Sequence, residues 1–283
     1  MSSVLISASE LARRIDAENL LVVDCRHDLA DLERGAREYA HGHIPGAVYA
    51  DLQRDLSDMS KTGLGRHPLP ERSAFAALLG RWGWRPGLPV VAYDAANGAL
   101  AAARLWWMLR LAGASDVAVL DGGFAAWTAA GLPVSREVPQ RAPTQVAVGF
   151  DDSAVVYTDE LRKLQQNPQV LLVDARAAPR YRGETEPIDP VAGHVPGAAN
   201  RPFSDNLGPD GRFKPAEQLR AEFAQLLGTR AATDIVHMCG SGVTACHNLL
   251  AMEHAGLRGA RIYAPSWSGW ISARENPVAT GPA

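Results

Sequence analysis

The chain repeats itself. LLVVDCRHD at 20–28 returns as VLLVDARAA at 170–178, and GHIPGAVYADLQRDL at 42–56 returns as GHVPGAANRPFSDNL at 193–207. Further on, PVVAYDAANGALAAARLWWMLRLAG at 89–113 matches DIVHMCGSGVTACHNLLAMEHAG at 234–256. VAVLDGGFAAWTAAGLPVS at 117–135 matches ARIYAPSWSGWISARENPVAT at 260–280. Four matches in one order at a nearly constant offset imply a duplicated domain. A period this long is not that of a solenoid, whose units run to about 20–50 residues, so each copy should be a complete domain. The 283 residues leave each copy enough chain to bury its own core. The expected division is a first domain over 1–138, a linker over 139–153 and a second domain over 154–283. The stretch around that linker, SREVPQRAPTQVAVGFDDSAV, has prolines, charges and no sustained period.

Within each copy short apolar runs alternate with helical patterns. Leu20–Val23, Val90–Tyr93 and Val117–Leu120, then Val170–Val173, Ile235–Met238 and Arg261–Tyr263, read as buried strands. Helices are predicted over Ser73–Trp82, with Ser73 as N-cap, and over Leu100–Ala112, Ala216–Leu227 and Thr244–Ala255. The fold class is therefore α/β: two tandem domains, each a mostly parallel sheet with helices on both faces. Reactive groups belong at the carboxyl ends of such strands.

A formal net charge of -3 gives no basic surface for nucleic acid or an anionic membrane. No apolar stretch is long enough to span a bilayer, and the N-terminus has no secretory-signal pattern. Three cysteines, Cys25, Cys239 and Cys246, are too few for a disulfide framework and fit a reducing compartment, so the cytoplasm is expected. No nucleotide, flavin or pyridoxal motif is present, so no cofactor is expected. No C-x-x-C pair occurs, and His237 and His247 lack a cysteine at ligand spacing, so no metal is expected either.

The copies differ at one loop. After Ile235–Met238 the second copy runs Cys239-Gly240-Ser241-Gly242-Val243-Thr244-Ala245 into a helix. The first copy has Asp94 or Ala95 where the second has Cys239, depending on the placement of a one-residue gap. Glycines at 240 and 242 let the backbone turn tightly through positive φ. Successive amides in such a turn form an anion nest, and the helix that follows adds its positive end. Both favour a thiolate, the nucleophilic form, at Cys239. Ser241 and Thr244 add hydroxyls that can orient a substrate. Cys25 sits in a strand pattern opposite Ala175 in the repeat and reads as packing, as does Cys246 inside a helix.

The duplication, the GHIPGA and GHVPGA segments, the CGSGVTA loop and the SWSGW segment together resemble tandem-domain rhodanese-type sulfurtransferases over nearly the whole chain. The loop is most similar to that of the 3-mercaptopyruvate sulfurtransferases. Thiosulfate enzymes of the same family typically carry basic residues where Gly240 and Ser241 stand. The resemblance implies an enzyme that moves sulfur from a small-molecule donor through a Cys239 persulfide to a thiol acceptor. That acceptor would be a small thiol, cyanide or a thioredoxin-like protein.

By the same resemblance Arg180 binds the donor, the backbone of Gly240, Gly242, Val243 and Thr244 cradles the sulfur, and Ser241 and His43 form a relay, with Asp31 as candidate acid. Arg176 has the place of a structural ion-pair partner. Trp267 is expected on a cleft wall. Ile188 stands where mercaptopyruvate enzymes often have a second donor-binding arginine, and Arg182 is a candidate substitute. Thiosulfate remains the alternative donor, and a non-enzymatic sulfur-relay or docking module the alternative role. A cysteine phosphatase is disfavoured because Ala245, not arginine, is the sixth residue after Cys239.

Overall fold

The computed structural model describes residues 3–15 and 19–282. The chain forms two compact units. The first comprises residues up to 58 with 69–151 and 210–213; the second comprises 59–68, 152–209 and 214 onward. Each unit thus borrows a short segment from the other half of the chain.

In the first unit the elements run β1 (Leu5–Ile6), α1 (Ala8–Arg14), β2 (Leu21–Asp24), α2 (Arg34–His41), β3 (Val48–Tyr49), α3 (Arg72–Arg81), β4 (Val90–Tyr93), α4 (Ala102–Leu111), β5 (Val117–Leu120) and α5 (Gly123–Ala129). In the second they run β6 (Val155–Val156), α6 (Thr158–Leu164), β7 (Leu171–Asp174), α7 (Ala178–Tyr181), β8 (Ala199–Asn200), α8 (Ala216–Leu227), β9 (Ile235–Met238), α9 (Thr244–His254), β10 (Arg261–Tyr263) and α10 (Ser266–Trp270). The sheet orders are β1-β5-β4-β2-β3 and β6-β10-β9-β7-β8, and every pairing is parallel. The edge strands β1, β3, β6 and β8, two residues each, leave no alternation for a sequence pattern to reveal. Ser73 is not the cap of α3. The helix starts one residue earlier, and Glu71 occupies the cap position in extended backbone. Residues 136–151 carry no regular structure and lie along the first unit, where the Thr144 amide bonds the Gly80 carbonyl and the Asp151 amide that of Leu111.

Both sheet faces are buried, as a parallel sheet requires. On one face of the first sheet Val22, Val91 and Ala118 pack with Leu11 of α1 and Trp127 of α5. By alternation Val23, Ala92 and Val119 turn to the other face, where they too are buried. The second sheet repeats the pattern: Leu172, Val236 and Met238 pack with Leu161, Trp267 and Trp270.

A buried ion pair fixes each sheet to its neighbouring turn. Arg26 grips Asp24 at 2.6 Å and donates to the Gly42 carbonyl at 2.7 Å. Arg176 does the same with Asp174 and Gly193, at 2.6 and 2.7 Å. Each guanidinium also lies over a ring, Arg26 over Phe124 and Arg176 over Trp267. The repeated strand-end aspartate and GH-x-PG turn are thus two ends of one staple. Losing one partner of such a pair costs about 3–5 kcal/mol, because the other charge stays buried.

His237 on β9 is fully buried, with Nε2 3.0 Å from the sulfur of Met252. Burial, helped by Arg201, pushes its pKa down to about 3. In the unfolded chain the imidazole binds a proton near its ordinary value of 6.5, so folding stability is lost as the pH falls from there towards 3. In that window His237→Leu should lose less stability than the wild type, by about 1.4 kcal/mol per pH unit. Urea unfolding at pH 4, 5 and 6 measures the difference; parallel slopes would contradict it.

Candidate active site

The register of the sheets decides which residue of the first copy answers to Cys239. Asp24 pairs with Tyr93 and Asp174 with Met238. The Cys25 amide bonds the Tyr93 carbonyl just as that of Ala175 bonds Met238. Asp94 is therefore the counterpart of Cys239, and Cys25 that of Ala175.

Asp94 shows what a loop in this position demands. Its buried carboxylate accepts five backbone bonds: from Ala96 and Gly98 at 2.8 Å on one oxygen, and from Leu100, Ala101 and Ala102 at 3.1 Å on the other. A chain turning from a parallel strand into a helix points its unpaired amides at one spot, and that spot needs a negative group. In the first unit the chain supplies its own.

In the second unit Cys239 stands there. Gly242, at φ 78°, turns its amide back to the Cys239 sulfur at 3.2 Å. Gly240 is not at positive φ. Its lack of a side chain serves close approach instead: a methyl added there would lie 2.9 Å from Nη2 of Arg66 and 3.6–3.7 Å from the guanidinium of Arg180. The strand end is held from the far side. The Cys239 amide donates to Oγ of Ser266 at 3.1 Å, and its carbonyl accepts from the Trp267 amide at 2.9 Å. Ser266, buried, adopts φ 54°, where the first copy has Gly123 at 58°. A non-glycine residue there carries a strain of about 1 kcal/mol, which its bond to the Cys239 amide helps offset.

Cys239 is 1% exposed, yet its neighbours are polar. Ser241 Oγ lies 2.9 Å from Nδ1 of His67. Arg180, on α7, donates to Glu186 at 2.6 Å and to Asp189 at 3.3 Å, and Arg66 pairs with the other oxygen of Asp189. Burial raises the Asp189 carboxyl above its ordinary value, against the attraction of Arg66. Burial also pushes Glu186 up, but the bonds from Arg180 and from the amides of Asp189 and Ile188 outweigh it and hold the carboxyl low. Thr244 opens α9 directly after Val243.

Several expected residues stand elsewhere. His43 is not the partner of Ser241. Its ring stacks on Tyr39 at 4.0 Å, with Nδ1 2.8 Å from the Tyr39 carbonyl and Nε2 3.0 Å from that of Glu137. His194 repeats the arrangement on Tyr181, at 3.8 Å between rings and 2.8 Å to the carbonyl. A contact built identically in both copies is a hinge-pin of the fold. Asp31 is exposed and paired with Arg37, and Arg182 pairs with Glu184 at 2.6 Å on the surface. Trp267 is no cleft wall: it is fully buried in the second core, under Arg176. Sequence reading missed His67, Arg66, Ser266 and Asp189. For Ser266 the signal lay in the repeat itself, which sets SWSGW against GFAAW.

Two stretches, 7–130 and 157–273, match the model of the rhodanese-like domain. The chain belongs to the rhodanese family. Across 99% of both chains it is 50% identical to a Pseudomonas aeruginosa protein named "Probable 3-mercaptopyruvate sulfurtransferase". Across 94% of this chain and 91% of the relative it is 34% identical to a protein of Cricetulus griseus named thiosulfate sulfurtransferase. The crystal structure of SseA from Escherichia coli, described as a 3-mercaptopyruvate sulfotransferase, superposes with a TM-score of 0.82 at 31% identity, over 94% of this chain and all of that one. In rhodanese terms the first domain has an aspartate, and the second a cysteine, at the head of the loop. Among the described residues no helix is long and apolar enough to cross a membrane, and no group of three or more metal-binding side chains gathers.

The three cysteines are free and buried, but their settings differ. Burial pushes the Cys25 thiol well up, and the carboxylates of Asp94, Asp24 and Asp55 push it further. Iodoacetamide at pH 8, followed by peptide mass spectrometry, should label Cys239 in the native protein and leave Cys25 untouched until it unfolds. Equal labelling of the two would contradict the distinction.

Proposed function

We propose that this rhodanese-family chain is a sulfurtransferase that takes sulfur from 3-mercaptopyruvate onto Cys239. The observation that carries the reading is the amide of Gly242 on the Cys239 sulfur, in the place where the first domain holds a carboxylate with five amides. A persulfide, like an aspartate, places its charge one bond beyond the first atom of the side-chain head. The nest therefore suits the loaded cysteine better than the bare one.

The Cys239 thiolate attacks the thiol sulfur of the donor. The new S–S bond forms as the carbon–sulfur bond breaks, and its electron pair passes into the enolate of pyruvate. The proton of the donor thiol ends on the enolate carbon, leaving pyruvate and a Cys239 persulfide anion. Arg180 holds the donor carboxylate. Ser241, within the loop and bonded to His67, supplies a hydrogen bond to the developing enolate oxygen. An acceptor thiolate or cyanide then attacks the outer sulfur and frees Cys239. A small thiol, cyanide or a thioredoxin-like protein fits this step, and the free thiols suit the reducing cytoplasm.

Thiosulfate is the second reading, supported by the guanidinium of Arg66 over Gly240, since a cation there suits a sulfonate head. In that case the attack breaks the donor S–S bond and sulfite leaves. Comparing kcat/KM for the two donors separates the readings, with mercaptopyruvate expected to be the better substrate.

Cys239→Ser should release pyruvate from mercaptopyruvate at least about a thousandfold more slowly, and should carry no sulfur adduct when the donor-treated protein is weighed by mass spectrometry. Wild-type rates from the serine variant would refute the mechanism. Ser241→Ala and His67→Gln should each lower kcat by about a hundredfold, and the double variant scarcely further, because the two act as a unit. Additive losses would separate them.

A further inference from the structure

Residue 188 is an isoleucine, exposed, with its amide bonded to Glu186. No cation comes from that position. The next residue, Asp189, instead gathers two guanidiniums, Arg180 from nine residues back and Arg66 from 123 residues back. Arg66 is itself anchored, since its amide donates to Oγ of Ser268 at 3.0 Å.

Both guanidiniums face one point. The place where a side chain at 240 would begin lies 2.9 Å from Nη2 of Arg66, 3.6 Å from Nη2 of Arg180 and 3.7 Å from its Nη1. Asp189 engages Nη1 of Arg66 and Nη2 of Arg180, and Glu186 takes Nε and Nη2 of Arg180. Nη2 of Arg66 and Nη1 of Arg180 are the ends left to point over the peptide that follows Cys239. A guanidinium pinned along one edge by carboxylates presents its other edge at little further entropic cost. Two such edges over one peptide match the two oxygens of a carboxylate.

We propose that Arg66 is a donor-binding residue: Arg66 and Arg180 together grip the anionic head of the sulfur donor above Cys239. Asp189 is the positioning residue that yokes them, and Arg66 supplies from residues 59–68 the cation that position 188 lacks. The inference rests on the sulfurtransferase reading above and adds to it how the donor is held.

The test is steady-state kinetics of the full chain with mercaptopyruvate, and in parallel with thiosulfate. Arg66→Ala should raise KM by about tenfold to a hundredfold, the range expected for a charge-assisted hydrogen bond, and change kcat by only a fewfold. Arg66→Lys should recover part of the loss, because an ammonium keeps the charge but not the fork. Adding Ile188→Arg to Arg66→Ala should lower KM again, which a variant damaged in folding would not do. Gly240→Ala, whose methyl crowds Nη2 of Arg66, should raise KM in the same direction. An unchanged KM in Arg66→Ala, while the wild type turns over the donor, overturns the role of Arg66 and leaves the sulfurtransferase reading standing. Wild-type turnover of thiosulfate alone overturns the choice of donor, and Arg66 is then judged on thiosulfate. Turnover of neither donor by the wild type overturns both.

Discussion

A parallel strand that turns straight into a helix leaves a ring of peptide N–H groups with no carbonyl to meet. Those groups are buried and cannot go unpaired without a cost of about 1–3 kcal/mol each. Whatever follows β4 in the first domain or β9 in the second must therefore carry negative charge or attract it. The first domain resolves this with Asp94, whose carboxylate satisfies five amides and closes the nest. The second places a sulfur there, short of the full reach of the nest, with the Gly242 amide turned on it. The same requirement that makes one loop a structural plug leaves the other with a sulfur where the first holds a carboxylate.

The surroundings keep that loop from collapsing. Its outer side is pinned to the start of α10 by the amides of Trp267 and Ser268, which bond the carbonyls of Cys239 and Gly240, and by Oγ of Ser266 on the Cys239 amide. Beneath α10, Trp267 rests against Arg176, itself locked to Asp174 and to the Gly193 carbonyl. Rigid support of this kind holds a reactive group at a fixed distance from its partners. It also explains why Trp267 is buried rather than lining a cleft: it braces the arginine that staples the turn.

Much of this was legible in the sequence because the chain is its own alignment. The long strands, the helices after them and the odd cysteine all follow from comparing one half with the other. What misled was the same symmetry. His43 lies in a repeated motif and so draws notice, yet repetition in His194 marks it as part of the shared scaffold. His67, which meets Ser241, belongs to residues 59–68, a stretch with no match among the four repeated segments and folded into the second unit from the first half of the chain. No local pattern announces a contact across 174 positions. Arg66 was hidden for the same reason, and Asp189 because its role appears only once two arginines from different segments are seen to share it.

The functional candidates are better found where the two copies cease to agree. Tyr39 and Tyr181 are equivalent, each stacked on its histidine, so the residues before them are equivalent too: Glu38 in the first copy, Arg180 in the second. The charge is reversed there. Between tyrosine and histidine the first copy has a span of 4 and the second a span of 13. The nine added residues, 13 minus 4, fall in the stretch that brings Glu186 and Asp189 to Arg180. At the loop head aspartate has given way to cysteine, and residues 59–68 have no repeated partner. These four departures, drawn from three separate stretches of the sequence, meet within the second unit around Gly240 and Ser241. Differences that arose as drift would be scattered over both domains. Their convergence on one loop sets the second copy apart from the first, which keeps the fold's own plug.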